Sequence, residues 1–280
     1  MNISAIIEQL ETLAPLSLQE SYDNSGLIVG DCNANINSAL LCLDSTEDVI
    51  DEAIERDCGL VIAHHPIVFS GIKSLTGKNY IERTIVKAIK NDIAIYAIHT
   101  NLDNVKAGVN KKMAERIGLK NLKILSPKEG KLKKLVFFCP IDSSEKVKSA
   151  LFDAGGGTIG EYDCCSFSLE GNGTFRPGEH TNPHVGKKEE LHSEKEHRIE
   201  LIFPDYLKSN LIHALKSNHP YEEVAFDLYN LENKWSEVGS GMIGELPQPL
   251  EILDFLDRVK LNLGTECIRY TKVLMHKVKR

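Results

Sequence analysis

The chain has 280 residues, 42% hydrophobic and 26% charged, with 33 Lys+Arg against 40 Asp+Glu and a net charge of −7. That composition supplies a core for one large domain or two ordinary ones and excludes wholesale disorder. The acidic balance argues against a surface built to coat nucleic acid or anionic lipid, and no apolar run approaches the roughly 18 residues of a membrane span.

The opening segment, MNISAIIEQLETLAP, has no basic leader region, and it carries Glu8 and Glu11 on a helical pattern. It does not resemble a signal peptide. The seven cysteines are odd in number and irregular in spacing, with no C-x-x-C, so a cytoplasmic protein with reduced thiols is expected. Cys42 and Cys139 sit in apolar runs and are expected in the core. Adjacent Cys164 and Cys165, read as part of a strand, would point to opposite faces.

Ile3, Ile6, Ile7, Leu10 and Leu13 form one helical stripe over 2–13, which Pro15 stops. Turn residues SYDNSG precede the short apolar run 27–29. Residues 39–43 (ALLCL) predict a buried strand, and Ser45 and Thr46 followed by Glu47 and Asp48 predict a helix start running to about 56. GLVIA at 59–63 predicts a second strand, 79–90 a helix, IAIYAI at 93–98 a third strand and 107–117 a helix. Apolar strands alternating with helices indicate a parallel sheet covered on both faces.

The pattern then restarts. A strand at 134–139, a helix at 144–153, strands at 163–169 and 198–203, a helix at 205–217 and a strand at 223–229 give β-α-β…β-α-β. This is the split βαβ, ferredoxin-like order. Gly155, Gly156 and Gly157 predict a helix cap and turn. The histidine-containing stretch 171–186 and the charged run 187–197 are expected as a solvated loop. A third unit begins at GSGMIGEL (239–246), with a helix at 249–263 and a candidate strand at 266–270. Strand-like positions at Val273, Met275 and Val278 close the chain with nothing after them to pair, so a shortened chain is the expectation.

Two segments carry chemistry. AHHPIVFSG places His64 and His65 directly after the strand GLVIA, and AIHTNLDN places His99 and Asp103 directly after IAIYA. Ligands of open parallel sheets bind at the carboxyl ends of the strands, so three imidazoles and a carboxylate are expected to converge there. Imidazole plus carboxylate suits Zn, Mn or Fe. Consecutive histidines would diverge and suit two metals a few ångströms apart, of the kind that activate water for hydrolysis. The alternative is a pair of histidines satisfied by hydrogen bonds. Asp23 and Asp44 are also at hand, but fit turn and cap positions.

The segments ESYDNSGLIVGD (20–31), LVIAHHPIVF (60–69), NDIAIYAIHTNLDN (91–104) and GSGMIGEL (239–246) resemble the NIF-three-like family, the GTP cyclohydrolase 1 type 2 homologues. GNGTFRP (171–177) and HPYEEVAFD (219–227) resemble its long bacterial members. The resemblance covers essentially the whole chain. It implies an α/β fold: a metal-binding lobe over 1–127, an inserted ferredoxin-like domain over 128–235, and the start of a second lobe, incomplete, over 236–280. The insert would be similar to small trimer-forming signalling and copper-tolerance domains. The resemblance maps metal ligands onto His64, His65 and Asp103. It leaves His99 as a second-sphere, substrate-facing or catalytic residue. Two divalent ions (Zn, Mn or Fe) would be held in the family with a further His and Glu, four residues apart, that have no counterpart here. It implies a metal-dependent hydrolase in which hydroxide attacks a purine-like ring and His99 shuttles the proton, acting on a small molecule such as a nucleotide. It also implies a homo-oligomer, hexamer or trimer. The competing expectation is an oligomeric metal-binding scaffold without turnover.

Overall fold

In the computed structural model of the chain, residues 1–272 and 276–280 are described. They separate into two compact units, one of residues 1–126 with 237–280 and the other of residues 127–236. No helix among the described residues is long and apolar enough to cross a membrane.

The first unit starts with helix α1 (Ile3–Leu13), capped by the Asn2 side chain, which accepts from the Ser4 N–H. Strands β1 (Gly26–Val29) and β2 (Ala39–Cys42) follow, then α2 (Glu47–Glu55), β3 (Leu60–Ala63), α3 (Tyr80–Lys90) and β4 (Ala94–Ala97). Thr46 caps α2, and Glu47 and Asp48 add negative charge to its first turn. The sheet order is β1-β4-β3-β2. Strands β2, β3 and β4 are parallel, in register Ala39↔Leu60↔Ala94. Strand β1 runs antiparallel along β4, with Gly26 opposite Ala97. The expected all-parallel sheet is therefore mixed. Strand β1, the first in the chain, is the antiparallel edge strand. Gly30 ends β1 at φ +107°, and a Cβ there would lie 2.6 Å from Ala94 Cβ. Glycine lets the backbone turn away at that close approach.

Both faces of β3 and β4 are buried, as continuous apolar strands require. Val61 and Ile95 pack with Ile50 and Ala53 of α2 and with Ile85 and Ala88 of α3. Leu60, Ile62, Ala94 and Tyr96 alternate to the opposite face and are buried there. Beyond β4 come a short helix α4 (Thr100–Asn104) and α5 (Val109–Ile117), which ends on left-handed Gly118. Then comes strand β5 (Lys120–Lys128).

The second unit has strand β6 (Leu132–Pro140), α6 (Ile141–Asp153), β7 (Phe167–Phe175), β8 (His192–Pro204), α7 (Lys208–Asn218) and β9 (Phe226–Leu231). Its sheet order, β7-β8-β6-β9, is antiparallel throughout and is the ferredoxin-like arrangement of a split βαβ. Phe137, Leu201 and Phe203 pack against Val147 and Leu151 of α6 and Leu211 and Leu215 of α7. Gly155 follows α6 with φ +91°, and Gly156 N–H donates to Leu151 O, as a helix cap requires.

Several expectations need correction. The charged run 187–197 is not all loop, because β8 begins at His192 and pairs with β7, His192 opposite Phe175. Cys164 and Cys165 lie outside any strand, and Cys164 sits at φ +52°. Cys139 is buried, but Cys42 is only partly so.

The chain returns to the first unit in β10 (Trp235–Glu245), which pairs with β5. Strand β11 (Leu250–Glu251), helix α8 (Ile252–Leu263) and β12 (Lys277–Val278) follow in the same unit. Val278 pairs with Leu250, so it is not the unpaired end expected. The strand expected at 266–270 does not form. Val273 and Met275 lie outside the described residues.

Candidate metal centre

The site forms just past the carboxyl ends of β3 and β4. His64 N–H donates to Cys42 O (3.1 Å) and His65 N–H to Leu43 O (2.9 Å), which carries the β2–β3 ladder two residues beyond the strands. The chain bends there, so the two rings do not diverge as a strand would send them. Their centroids are 5.0 Å apart. His99 closes the group at 5.2 Å from His64 and 5.4 Å from His65. One ring nitrogen from each of the three lies within 4.8 Å of the others. Asp103 Oδ1 lies 4.0 Å from His64 Nε2. It stands beside one histidine and outside the three-histidine group.

The other ring nitrogens settle the tautomers. His64 Nδ1 meets Ile98 O at 2.9 Å, His65 Nδ1 meets Asp44 Oδ1 at 2.8 Å, and His99 Nδ1 meets Asp23 Oδ1 at 2.8 Å. A carbonyl or carboxylate oxygen only accepts, so each Nδ1 carries a hydrogen, and in the neutral ring Nε2 is then the nitrogen with the free lone pair. Ligating histidines are held in this way, with the far N–H bound to a carbonyl or carboxylate. Three such imidazoles with a nearby carboxylate fit a divalent ion of the Zn, Mn or Fe kind.

Asp23 is the deepest member, with a side chain 0% exposed. It accepts from Thr100 Oγ1, Thr100 N–H (3.0 Å), Asn24 N–H (2.7 Å), Ser25 Oγ (3.1 Å) and His99. Burial alone would raise this carboxyl. The hydrogen bonds from Thr100, His99 and the Asn24 and Thr100 backbone more than reverse that and hold it at about 2. The segment around Asp23 also laces the two strand-end loops together. Asn24 Nδ2 donates to Val68 O, and buried Asn101 and Asn104 donate to Ala14 O and Leu18 O. Two of these bonds anchor the short helix TNLDN to the segment 14–18. Asp23 and Asp44, placed by sequence at turn and cap positions, are instead the carboxylates that orient His99 and His65.

His65 and His99 open onto a cavity of about 980 Å³. Phe69 and Tyr80, each 55% exposed, contribute to its walls. Phe69 stands edge-on to His99 at 5.9 Å. Lys73 is the one Lys or Arg among the cavity's described lining residues.

Fold and site together define an α/β protein with a histidine cluster, backed by carboxylates, at the carboxyl ends of its strands. The family model Duf34/NIF3 (NGG1p interacting factor 3) matches residues 1–280, and the chain belongs to that family. The "GTP cyclohydrolase 1 type 2 homolog" of Halalkalibacterium halodurans is 43% identical over 260 residues, covering 92% of this chain and 70% of that one. The protein of the same name from Bacillus subtilis is 39% identical, covering 96% and 72%. Among solved structures, a Bacillus cereus protein related to NIF3 matches with TM-score 0.87 and 41% identity, covering 100% of this chain and 75% of that one. Staphylococcus aureus protein SA1388 matches with TM-score 0.73 and 31% identity, covering 100% and 73%.

Proposed function

We propose that this chain is a divalent-metal-dependent hydrolase whose metal is held by His64, His65 and Asp103, with His99 handling the proton. The observation that carries the reading is the way His64 and His65 are held: each spends its Nδ1–H on a fixed oxygen, which in the neutral ring leaves Nε2 to bind a metal, while His99, held in the same way by Asp23, stands beside them. When bound, the metal supplies a Lewis acid and lowers the pKa of water to near neutrality. His64 and His65 present neutral nitrogen donors, and Asp103 offsets positive charge. His99, backed by a fully ionised buried Asp23, accepts a proton at Nε2 and returns it to the leaving group. The adjoining cavity supplies Phe69 and Tyr80 as flat apolar surfaces and Lys73 as a cation. That chemistry suits a heteroaromatic ring carrying a negative charge, in keeping with the nucleotide in the names of the relatives.

The test is metal content by elemental analysis of the 280-residue protein, His65→Ala and His99→Gln, followed by incubation with GTP and separation of products. Stoichiometric metal in the parent, its loss in His65→Ala, and metal retained without turnover in His99→Gln support the proposal. No stoichiometric metal in the parent overturns it. Metal with no turnover in the parent favours a metal-binding scaffold.

A further inference from the structure

We propose that the unit of residues 127–236 carries a second small-molecule site, which takes an organic cation: an ammonium or amidinium group on a compact apolar body. The site is a cavity of about 440 Å³ walled by Phe138, Phe175, Pro177, Pro183 and Tyr221, with Glu196 in its lining. Its volume and apolar walls are those of small-molecule pockets, in which a few polar groups fix orientation.

Glu196 is the group that needs explaining. It projects from β8 and is only 7% exposed. Of the glutamates on either side of it along the strand, Glu194 is hydrogen-bonded to His192, and Glu200 is ion-paired with Lys134 and Arg198. Glu196 has no ion pair among the described residues. No Lys or Arg is among the cavity's described lining residues, so the carboxylate is open to a cation that enters the cavity.

None of the neighbouring groups forms an ion pair with it. Tyr221 Oη is shut from solvent and faces Glu196, and burial together with that contact pushes its titration up. His184 also lines the cavity, its ring 6.1 Å from that of Tyr221. His219 is 5.1 Å from the Tyr221 ring, centroid to centroid, but both its nitrogens are used. Nε2–H donates to Phe138 O at 2.9 Å, and Nδ1 accepts the Tyr221 N–H at 3.1 Å. That pattern is a neutral imidazole, and burial lowers its pKa in the same sense.

The cavity is built into the strands. On β7, a Cβ at Gly173 would lie 2.1 Å from Glu196 Oε2, so the carboxylate occupies space that only glycine leaves open. A cation entering here meets the Glu196 carboxylate at one end and the faces or edges of three aromatic rings along its body. An anion meets Glu196 together with Glu222 and Glu223, which also line the cavity.

The test uses benzylamine (charged at pH 7), benzyl alcohol and benzoate as probes, titrated into the full 280-residue protein by saturation-transfer NMR. The variants are Glu196→Gln and Thr181→Trp, the second filling the cavity from the loop between β7 and β8. Saturable benzylamine binding is expected, weakened about tenfold or more in Glu196→Gln and abolished in Thr181→Trp. Benzyl alcohol should bind more weakly and change by less than about twofold in Glu196→Gln. No saturation by benzylamine, equal affinity for benzoate or benzyl alcohol, or unchanged affinity in Glu196→Gln would overturn the proposal. If circular dichroism shows that Glu196→Gln is unfolded, Thr181→Trp and the ranking of the three probes decide the matter.

Discussion

At the residue scale, the two carboxylates behind the histidines have different jobs and should respond differently to substitution. Asp44 has a side chain 59% exposed and holds His65 by one bond. Asp44→Ala should leave stability within about 0.5 kcal/mol of the parent while weakening metal affinity roughly 10–100-fold, read by competition with a chelating dye. Asp23 is buried and accepts from several donors. Asp23→Ala leaves those donors unmatched, and should lower stability by about 1–3 kcal/mol in urea unfolding as well as turnover. Equal effects of the two substitutions would contradict this division. The gathering of the three histidines was legible in sequence because polar side chains just after wholly apolar strands have few structural uses. Asp23 and Asp44 were not, because each sits in a turn-like string and its histidine partner lies 76 and 21 residues away.

At the scale of elements, local chemistry accounts for what was legible. Helix α3 starts at Asn79, whose side chain accepts from Glu82 N–H, and Glu82 in turn accepts from Thr76 N–H, Lys78 N–H and Asn79 Nδ2. The arrangement differs from a capping box in that the return bonds reach Thr76 and Lys78 N–H in the preceding loop and the Asn79 side chain. The backbone N–H groups of Thr76 and Lys78 lead in holding the Glu82 carboxyl below its ordinary value. A depressed folded pKa contributes stability that is present above the free value of about 4.3 and is lost as pH falls through the folded value. Glu82→Gln should therefore lower the thermal midpoint by a few degrees at pH 7, and the gap should narrow below about pH 4. A gap independent of pH would assign the effect to packing. Elements whose local signals conflict were less legible. Strand β5, KNLKILSPK, is charged, contains a proline and buries only Ile124, so it shows no strand pattern without its partner β10. The start of β8 carries charges on both faces and becomes a strand by pairing with β7. The antiparallel placement of β1 depends on tertiary contacts of the 19–26 segment, which no periodicity reports.

At the scale of the whole molecule, the two compact units have separate hydrophobic clusters, one around Val61 and Ile95 and the other around Phe137 and Phe203. The histidine cluster draws its residues from the first unit and the Glu196 cavity from the second. Effects at sites without shared partners add, and cooperative opening follows such clusters. Phe203 is 0% exposed. Phe203→Ala removes a fully buried ring and should cost the second unit about 3–5 kcal/mol. Hydrogen exchange followed by mass spectrometry should then show lost protection in peptides from 132–140, 192–204 and 208–218. Protection in 60–63 and 94–97, and metal content, should stay at parental values. The reciprocal change, Ile95→Ala, is expected to cost about 2–5 kcal/mol in the first unit, loosen the strand ends that carry His64, His65 and His99, and reduce metal content. Loss of protection in both units from Phe203→Ala alone would mean that the two cores unfold as one cooperative body, and that a ligand at one site also stabilises the other.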